Sequence, residues 1–288
     1  MAINGKLNII AEKINDSVPS THELFAKGDI PAIIALAREQ AEGATYIDVN
    51  IGMNDPSLME ELIKSIQKQV DLPLSIDTPS PEIAERALKV YDPAKAQGKK
   101  PLLNSISLGR LEMFDLLKIQ PFRTLLMASE RIEGSETVQN CVPRDVLDAA
   151  RQIYEHAKKH GITNDDIIFD PTIAPVGSDF QGLTRMTVDG IALIGKHETF
   201  KGCHMSVGLS NFTVQIPSKT QSGALVKTPL ENAFLTLTVP NGLDYCVGST
   251  KKKYEFLPED HPAMVTLKDI MKLDGFDVIM RVQEFYNS

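Results

Sequence analysis

Tryptophan is missing from the sequence, and no apolar run approaches the roughly 18 residues that a membrane-spanning helix requires. Cysteine occurs three times, at Cys141, Cys203 and Cys246, far apart and with no Cys-x-x-Cys pair. That argues against a disulfide framework, an iron–sulfur cluster and a thiolate zinc site. Positive charge is in deficit, with 30 Lys+Arg against 38 Asp+Glu and a formal net charge of −8. A nucleic-acid partner would need a basic footprint, as would an anionic membrane surface, so neither is expected. The first residues, MAINGKLNIIAEKIN, lack the basic, apolar and small-residue regions of a signal peptide, and a cytoplasmic location is expected.

What is present is ordinary for a globular protein, 42% hydrophobic and 24% charged. Short β-rich segments alternate with longer helical ones. The strand candidates are Leu7–Ile14, Thr45–Ile51, Pro73–Asp77, Pro101–Ile106, Phe122–Ala128, Asp166–Asp170, His204–Leu209 and Asp244–Gly248. Their starts are about 34 residues apart on average, the length of one β–loop–α unit. They read as near-continuous apolar runs, as parallel strands covered on both faces do.

Helix signals fill the gaps. Asp55 and Ser80 stand as N-caps before Pro56 and Pro81, and Pro143 opens a longer helix that Gly161 ends. The apolar stripes are Leu58, Leu62, Ile66 and Val70 in one, and Ile83, Ala84, Ala87 and Leu88 in the next. In the long helix the stripe is Val146, Ala150, Ile153 and Ala157. Eight such units without a linker predict a single α/β domain over residues 1–288, a (β/α)8 TIM barrel; the rival is an open doubly wound sheet.

In a barrel the ligand site lies at the C-terminal ends of the strands. Six predicted strands end in polar groups: Glu12 and Asn15, Asp48 and Asn50, Asp77, Asn104, Asp170, and Ser210 with Asn211. Such convergence is costly unless a ligand satisfies it. Because side chains alternate along a strand, only part of each set can face inward. Carboxylates and carboxamides without basic neighbours suit a planar heterocycle rich in N–H donors, such as a pterin. A phosphate would call for a Gly-rich loop and Arg or Lys. No His stands at a strand end and no ligand spacing stands out, so no metal site is expected.

The motifs Glu12-x-Ile14-Asn15, Asp48-x-Asn50-x-Gly52, Ile76-Asp77-Thr78, Leu103-Asn104-Ser105, Phe169-Asp170-Pro171, Gly208-Leu209-Ser210-Asn211 and Gly242-Leu243-Asp244 span almost the whole chain. In order and spacing they resemble the pterin-binding barrel family, and most of all its methyltetrahydrofolate:corrinoid protein methyltransferases. The resemblance implies that Asp77, Asn104 and Asp170 hold the pterin ring. It places Asn211 near N5, which carries the methyl group. It further implies tetrahydrofolate or methyltetrahydrofolate as substrate, cobalamin on a separate corrinoid protein, and a homodimer. Catalytic roles then fall to Asn211, Asp77 and Asp170. Dihydropteroate synthase, a second member of the family, fits less well, because Tyr245–Ser249 lacks that enzyme's basic residue and His. A non-catalytic folate-binding protein is the alternative of a different class.

Other features have plainer readings. His156 and His160 lie one helical turn apart beside Lys158 and Lys159, as on a solvated face. Cys203 and Cys246 fit burial better than nucleophilic chemistry. Lys251–Lys253 could attract a polyglutamate tail, although an exposed loop is the simpler expectation. The long segments Glu130–Val142 and Phe212–Lys227 are candidates to line the pocket or to dock the corrinoid protein.

Overall fold

The computed structural model describes Ile3 and residues 5–287 of the chain. Its strands are β1 (Asn8–Asn15), β2 (Tyr46–Asn50), β3 (Leu74–Asp77), β4 (Leu102–Ile106), β5 (Arg123–Met127), β6 (Glu130–Glu133), β7 (Glu136–Gln139), β8 (Ile167–Asp170), β9 (His204–Met205) and β10 (Tyr245–Gly248). Eight of them pair in the order β10-β1-β2-β3-β4-β5-β8-β9, every pair parallel. The Val247 amide donates to the Val207 carbonyl at 2.9 Å, and Asp244 to Met205 at 3.3 Å, which joins β10 to the segment running on from β9. The result is a (β/α)8 barrel, as the strand count and spacing predict.

The helices are α1 (Pro19–Lys27), α2 (Ile30–Ala41), α3 (Pro56–Ile66), α4 (Pro81–Val90), α5 (Pro143–Lys159), α6 (Leu183–Gly195), α7 (Leu209–Phe212), α8 (Lys227–Thr238), α9 (Pro262–Ile270) and α10 (Phe276–Asn287). The predicted caps are in place: Asp55 accepts from the Ser57 amide at 2.8 Å, and Ser80 Oγ from Ile83 at 3.4 Å. Ile83, Ala84, Ala87 and Leu88 are buried, as are Val146, Ala150, Ile153 and Ala157. In α3 the stripe is wider than expected: Met59 and Ile63 are buried beside Leu62 and Ile66, while Leu58 is only half-buried. Each such large apolar side chain contributes about 1.5–3 kcal/mol when taken from water. One unit departs from the pattern, since a 3-10 segment, Leu111–Lys118, follows β4 where an α-helix is expected.

Strand alternation separates two cores. Ile47, Val49, Leu74, Ile76 and Leu103 face the helices. Ile10, Tyr46, Leu102, Leu125, Ile168 and Tyr245 pack together in the barrel interior. Two residues further along their strands, these inward columns reach Glu12, Asp48, Asn104, Met127, Asp170 and Val247. The interior therefore changes from apolar to largely polar toward the C-terminal mouth. The opposite end is closed by Arg123, which donates to Tyr245 Oη at 2.7 Å, and by His204, whose Nδ1 lies 2.5 Å from Asp244 Oδ2.

The seventh predicted strand, His204–Leu209, is shortened to the two residues of β9, and Leu209 already opens α7. Glu130–Val142 is mostly an antiparallel hairpin, β6 with β7. Buried Asn140 pins it by donating to the Ala128 carbonyl at 2.9 Å. His160 turns its Nδ1 to the His156 carbonyl at 2.8 Å and stacks on Phe114 at 4.9 Å between ring centroids, so the two His form no metal pair. Cys246 is buried and Cys203 half-buried; burial pushes the Cys203 thiol up to about 12.

Candidate functional site

A cavity of about 310 Å³ opens at the C-terminal mouth. Its wall is Glu12, Asn15, Asp77, Asn104, Ser105, Met127, Asp170, Thr172, Ile173, Gly208, Ser210, Asn211 and Val247. Seven residues expected at the site from sequence thus meet in one wall: Glu12, Asn15, Asp77, Asn104, Asp170, Ser210 and Asn211. The two strands without a polar terminus supply Met127 and Val247, an apolar surface for a flat ring. Asp48 and Asn50 stand behind this wall and do not form part of it.

Asp170 ends β8 on the cavity floor, where its Oδ1 accepts from the Thr172 amide at 2.7 Å. Burial outweighs that bond and pushes the carboxyl up to about 7. Asp77 accepts from Asn50 Nδ2 at 2.8 Å, while Asn50 Oδ1 takes the Gly52 amide at 2.8 Å and so fixes the orientation of the carboxamide. Gly52 has a φ of +59°, and a Cβ there would lie 2.6 Å from Asp16 Oδ2. Next to Asp77, Asp48 is 1% exposed. Burial and then the charge of Asp77 hold Asp48 well above the ordinary carboxylate range. Asp77 is raised as well, by burial first, so the two neighbouring carboxyls cannot both ionise cheaply.

Glu12 continues the inward column of Ile10, at the point where β1 carries a β-bulge. The register between β1 and β2 shifts between Ala11 and Ile14. The Lys13 amide, freed from the ladder, donates to Gln40 Oε1 at 2.7 Å. Bulges place consecutive side chains where a regular strand would not. Glu12 accepts from Ser210 Oγ at 2.7 Å, and burial raises its pKa despite that bond and the charge of Lys252. The Asn104–Ser105 peptide is cis.

Asn211 lies in α7, just past the end of the seventh barrel segment, and faces the opening. Its carboxamide forms no side-chain hydrogen bond with the described residues. Gly208 makes room for it: a Cβ on Gly208 would sit 2.7 Å from Asn211 Nδ2. A second cavity, about 630 Å³, shares Glu12, Asn15, Ser210 and Asn211 with the first, so Asn211 stands on the wall between them.

Strand ends alone do not reveal two charged groups. Arg110 stands four residues beyond β4, and its guanidinium folds back to donate to Ser105 Oγ at 3.2 Å. Its charge lowers the Asp77 pKa in part, behind the larger effects of burial and the Asn50 and Asp48 contacts. Glu231, from α8, is fully buried; it accepts from Thr213 Oγ1 at 2.6 Å and from Lys252 Nζ at 2.7 and 2.8 Å. The Lys251–Lys253 run is thus tied down: Lys251 pairs with Glu39, Lys252 with Glu231 and Lys253 with Glu255. Of the two long segments, no residue of Glu130–Val142 lines either cavity, whereas Val214 of Phe212–Lys227 lines the wider one. Among the described residues no group of three or more His, Cys, Asp or Glu side chains is placed to hold a metal ion.

The pterin binding enzyme family matches residues 14–247, most of the chain and nearly all of the barrel. The chain belongs to this family. A methylcorrinoid:tetrahydrofolate methyltransferase from Eubacterium limosum is 29% identical over 249 residues, 83% of each chain. A dihydropteroate synthase from Synechocystis sp. is 25% identical over 200 residues, covering 63% of this chain and 66% of the other. Among solved structures, dihydropteroate synthase from Vibrio fischeri superposes with a TM-score of 0.55 at 15% identity, covering 99% of this chain and 94% of the other. The Xanthomonas albilineans enzyme gives 0.54 at 17% identity and covers 94% of both chains. These superpositions confirm the barrel. The acidic cavity lies at the C-terminal mouth of this barrel.

Proposed function

We propose that the protein moves a methyl group between N5 of tetrahydrofolate and the cobalt of a corrinoid carried on a separate protein. The observation that carries this reading is Asn211, a carboxamide without a side-chain hydrogen bond among the described residues, on the same cavity wall as Asp77, Asn104 and Asp170. Asp77 and Asp170 would accept the ring's 2-amino and N3–H donors, and Asn104 would serve a donor and an acceptor together. Methyl transfer from N5 leaves an electron pair on the departing nitrogen, which therefore has to be protonated or strongly hydrogen-bonded. An amide does not titrate, so Asn211 would turn its oxygen toward N5–H⁺, while the proton arrives by water. Loss of pyrophosphate, as in pteroate synthesis, would call for cations, and the wall of the Asp77–Asp170 cavity contains no Lys or Arg.

The test is spectroscopic. Anaerobic mixing with methyltetrahydrofolate and Co(I) cobalamin should consume the Co(I) absorbance only when both are present. Binding of methyltetrahydrofolate without demethylation would reduce the protein to a folate carrier. Condensation of para-aminobenzoate with a pterin pyrophosphate would make it a synthase.

Asp170 gives the binding step a pH dependence. Its carboxyl rests at about 7 in the free protein, and N–H donors on the ligand favour the ionised form. Above that pH the carboxylate is ready. Below it the ligand has to displace a proton, and affinity should fall by up to about tenfold per pH unit. Asp170→Asn should flatten that dependence and weaken binding by about 1.5 kcal/mol, near tenfold. Titration calorimetry on both proteins across this range decides the matter; an unchanged affinity in the variant removes Asp170 from the binding set.

A further inference from the structure

The barrel sheet begins at β10 and ends at β9, so closure depends on what joins these two strands. Backbone contact there is sparse: the Asp244 amide donates to Met205, the Val247 amide donates to Val207, and a bridge pairs Gly208 with Val247. A side chain completes the junction. Asp244 Oδ1 accepts the Met205 amide at 3.0 Å, where a strand partner would offer a carbonyl. The Asp244 carbonyl takes the Asn8 amide at 2.7 Å, which ties the same residue to β1. We infer that Asp244 and His204 form a pH-sensitive clasp, which locks this seam when His204 is charged and loosens it when His204 is neutral. The clasp lies at the end of the barrel away from the mouth cavity, and it acts whatever ligand the mouth accepts.

The imidazole is held between two carboxylates. Its Nδ1 lies 2.5 Å from Asp244 Oδ2, and its Nε2 lies 3.2 Å from Asp165 Oδ1, in the 3-10 turn before β8. An imidazolium donates from both nitrogens and satisfies both partners. A neutral ring has one N–H, so its other nitrogen would turn a lone pair toward a carboxylate oxygen. The Tyr245 ring of β10 meets His204 edge-on at 5.4 Å between centroids. Arg123 from β5 is the opposing cation, and it is engaged by Tyr245 Oη, by Tyr46 Oη of β2 and by the Asp165 carbonyl. The Asp166 carboxylate is turned to Lys100 at 2.7 Å. Contact with Asp244 outweighs burial and the charge of Arg123, and holds the His204 pKa above its ordinary value.

A short run of chain carries the effect toward the mouth. From β9 the backbone passes through Ser206 and Val207 to Gly208, and α7 with Asn211 starts at the next residue. Parting β9 from β10 therefore removes support from the turn that holds Asn211. The sign of the pH effect is fixed by the direction of the shift. Folding raises the His204 pKa, so the clasp contributes fully below the unfolded value of about 6.5 and is lost as pH rises through the folded value. Between the two values the folding constant should fall by up to about tenfold per pH unit.

NMR titration of the His204 ring, with urea unfolding from about pH 6 to about pH 9, tests the clasp. The His204 midpoint should lie above about 6.5. The ratio of folding constants, wild type over His204→Gln, should fall through that midpoint. Asp170, which rests at about 7, is common to both proteins and cancels from the ratio. Asp165→Asn should lower the His204 midpoint and leave the protein folded, because the Asp165 side chain is 84% exposed. Amide exchange, corrected for its intrinsic pH dependence, should quicken above the midpoint more at Val247 than at Ile47, which bonds across to the β3 side of the sheet. A midpoint at or below the ordinary value, a constant ratio of folding constants, or equal acceleration at both amides would overturn the clasp. So would an unchanged midpoint in Asp165→Asn, which decides the matter alone if His204→Gln does not fold.

Discussion

Replacing Asn211 with Ala is expected to cut turnover by about a hundredfold or more, in the range seen when one transition-state hydrogen bond is removed. Methyltetrahydrofolate should still bind within a few-fold of the parent affinity. The asymmetry follows from position. Asn211 is exposed at the mouth, while the polar floor of Asp77, Asn104 and Asp170 lies in the cavity below. In the ground state the N5 region gains little from one neutral amide. As the methyl departs, charge changes on N5 itself, and an oriented amide oxygen then counts for more. Gly208→Ala offers a second route to the same result, because its Cβ would collide with Asn211 Nδ2 at 2.7 Å and push the carboxamide aside. Stopped-flow turnover and equilibrium binding, measured on each variant, separate the two effects. If affinity falls as far as rate, Asn211 serves binding and the proposed role in transfer is lost.

Glu231→Ala should be the most destabilising single change near the site, by about 3 kcal/mol, the lower end of the cost of breaking a buried ion pair. Its carboxylate is fully buried and takes three contacts, one from Thr213 and two from Lys252. The lower end applies because the Lys252 side chain is 26% exposed and can recover part of its hydration. Truncation strands both partners, whereas Glu231→Leu with Lys252→Met removes the pair together and should regain most of the loss. Urea unfolding of the three proteins provides the comparison. A loss of less than about 1 kcal/mol for Glu231→Ala would show that solvent already screens the pair. Thr213 lies two residues from Asn211, so the network also anchors the turn that carries the carboxamide.

The strands were legible because parallel strands covered on both faces are apolar almost throughout. Seven barrel strands lie within one residue of their predicted ends or are trimmed by a single residue at one or both. The exception is instructive. Ser206–Leu209 is apolar enough to extend β9, but Gly208 lets the chain turn into α7, and a turn of that kind leaves no period in the sequence. The polar strand ends were legible for the same reason that one cannot tell from them how deep each residue sits. Asp48 and Asp77 both end inward columns, yet only Asp77 reaches the cavity, since depth depends on how neighbouring strands are staggered. Glu12 and Lys13 are adjacent and yet both border the wider cavity, beside a bulge that leaves no mark in the sequence. Arg110 arrives from a loop. Glu231, Thr213 and Lys252 come from three separate segments, and only the fold brings them together.

Asp48 gives the floor of the pocket a capacity that a single carboxylate would not have. Two buried carboxyls this close cannot both ionise cheaply, and both are pushed above the ordinary carboxylate range. A ligand donor or positive charge that engaged Asp77 would reduce the repulsion that holds Asp48 up, and a proton on the pair would become easier to release. The floor would then answer a cationic ligand with more negative charge than a neutral one, as a buffer of charge.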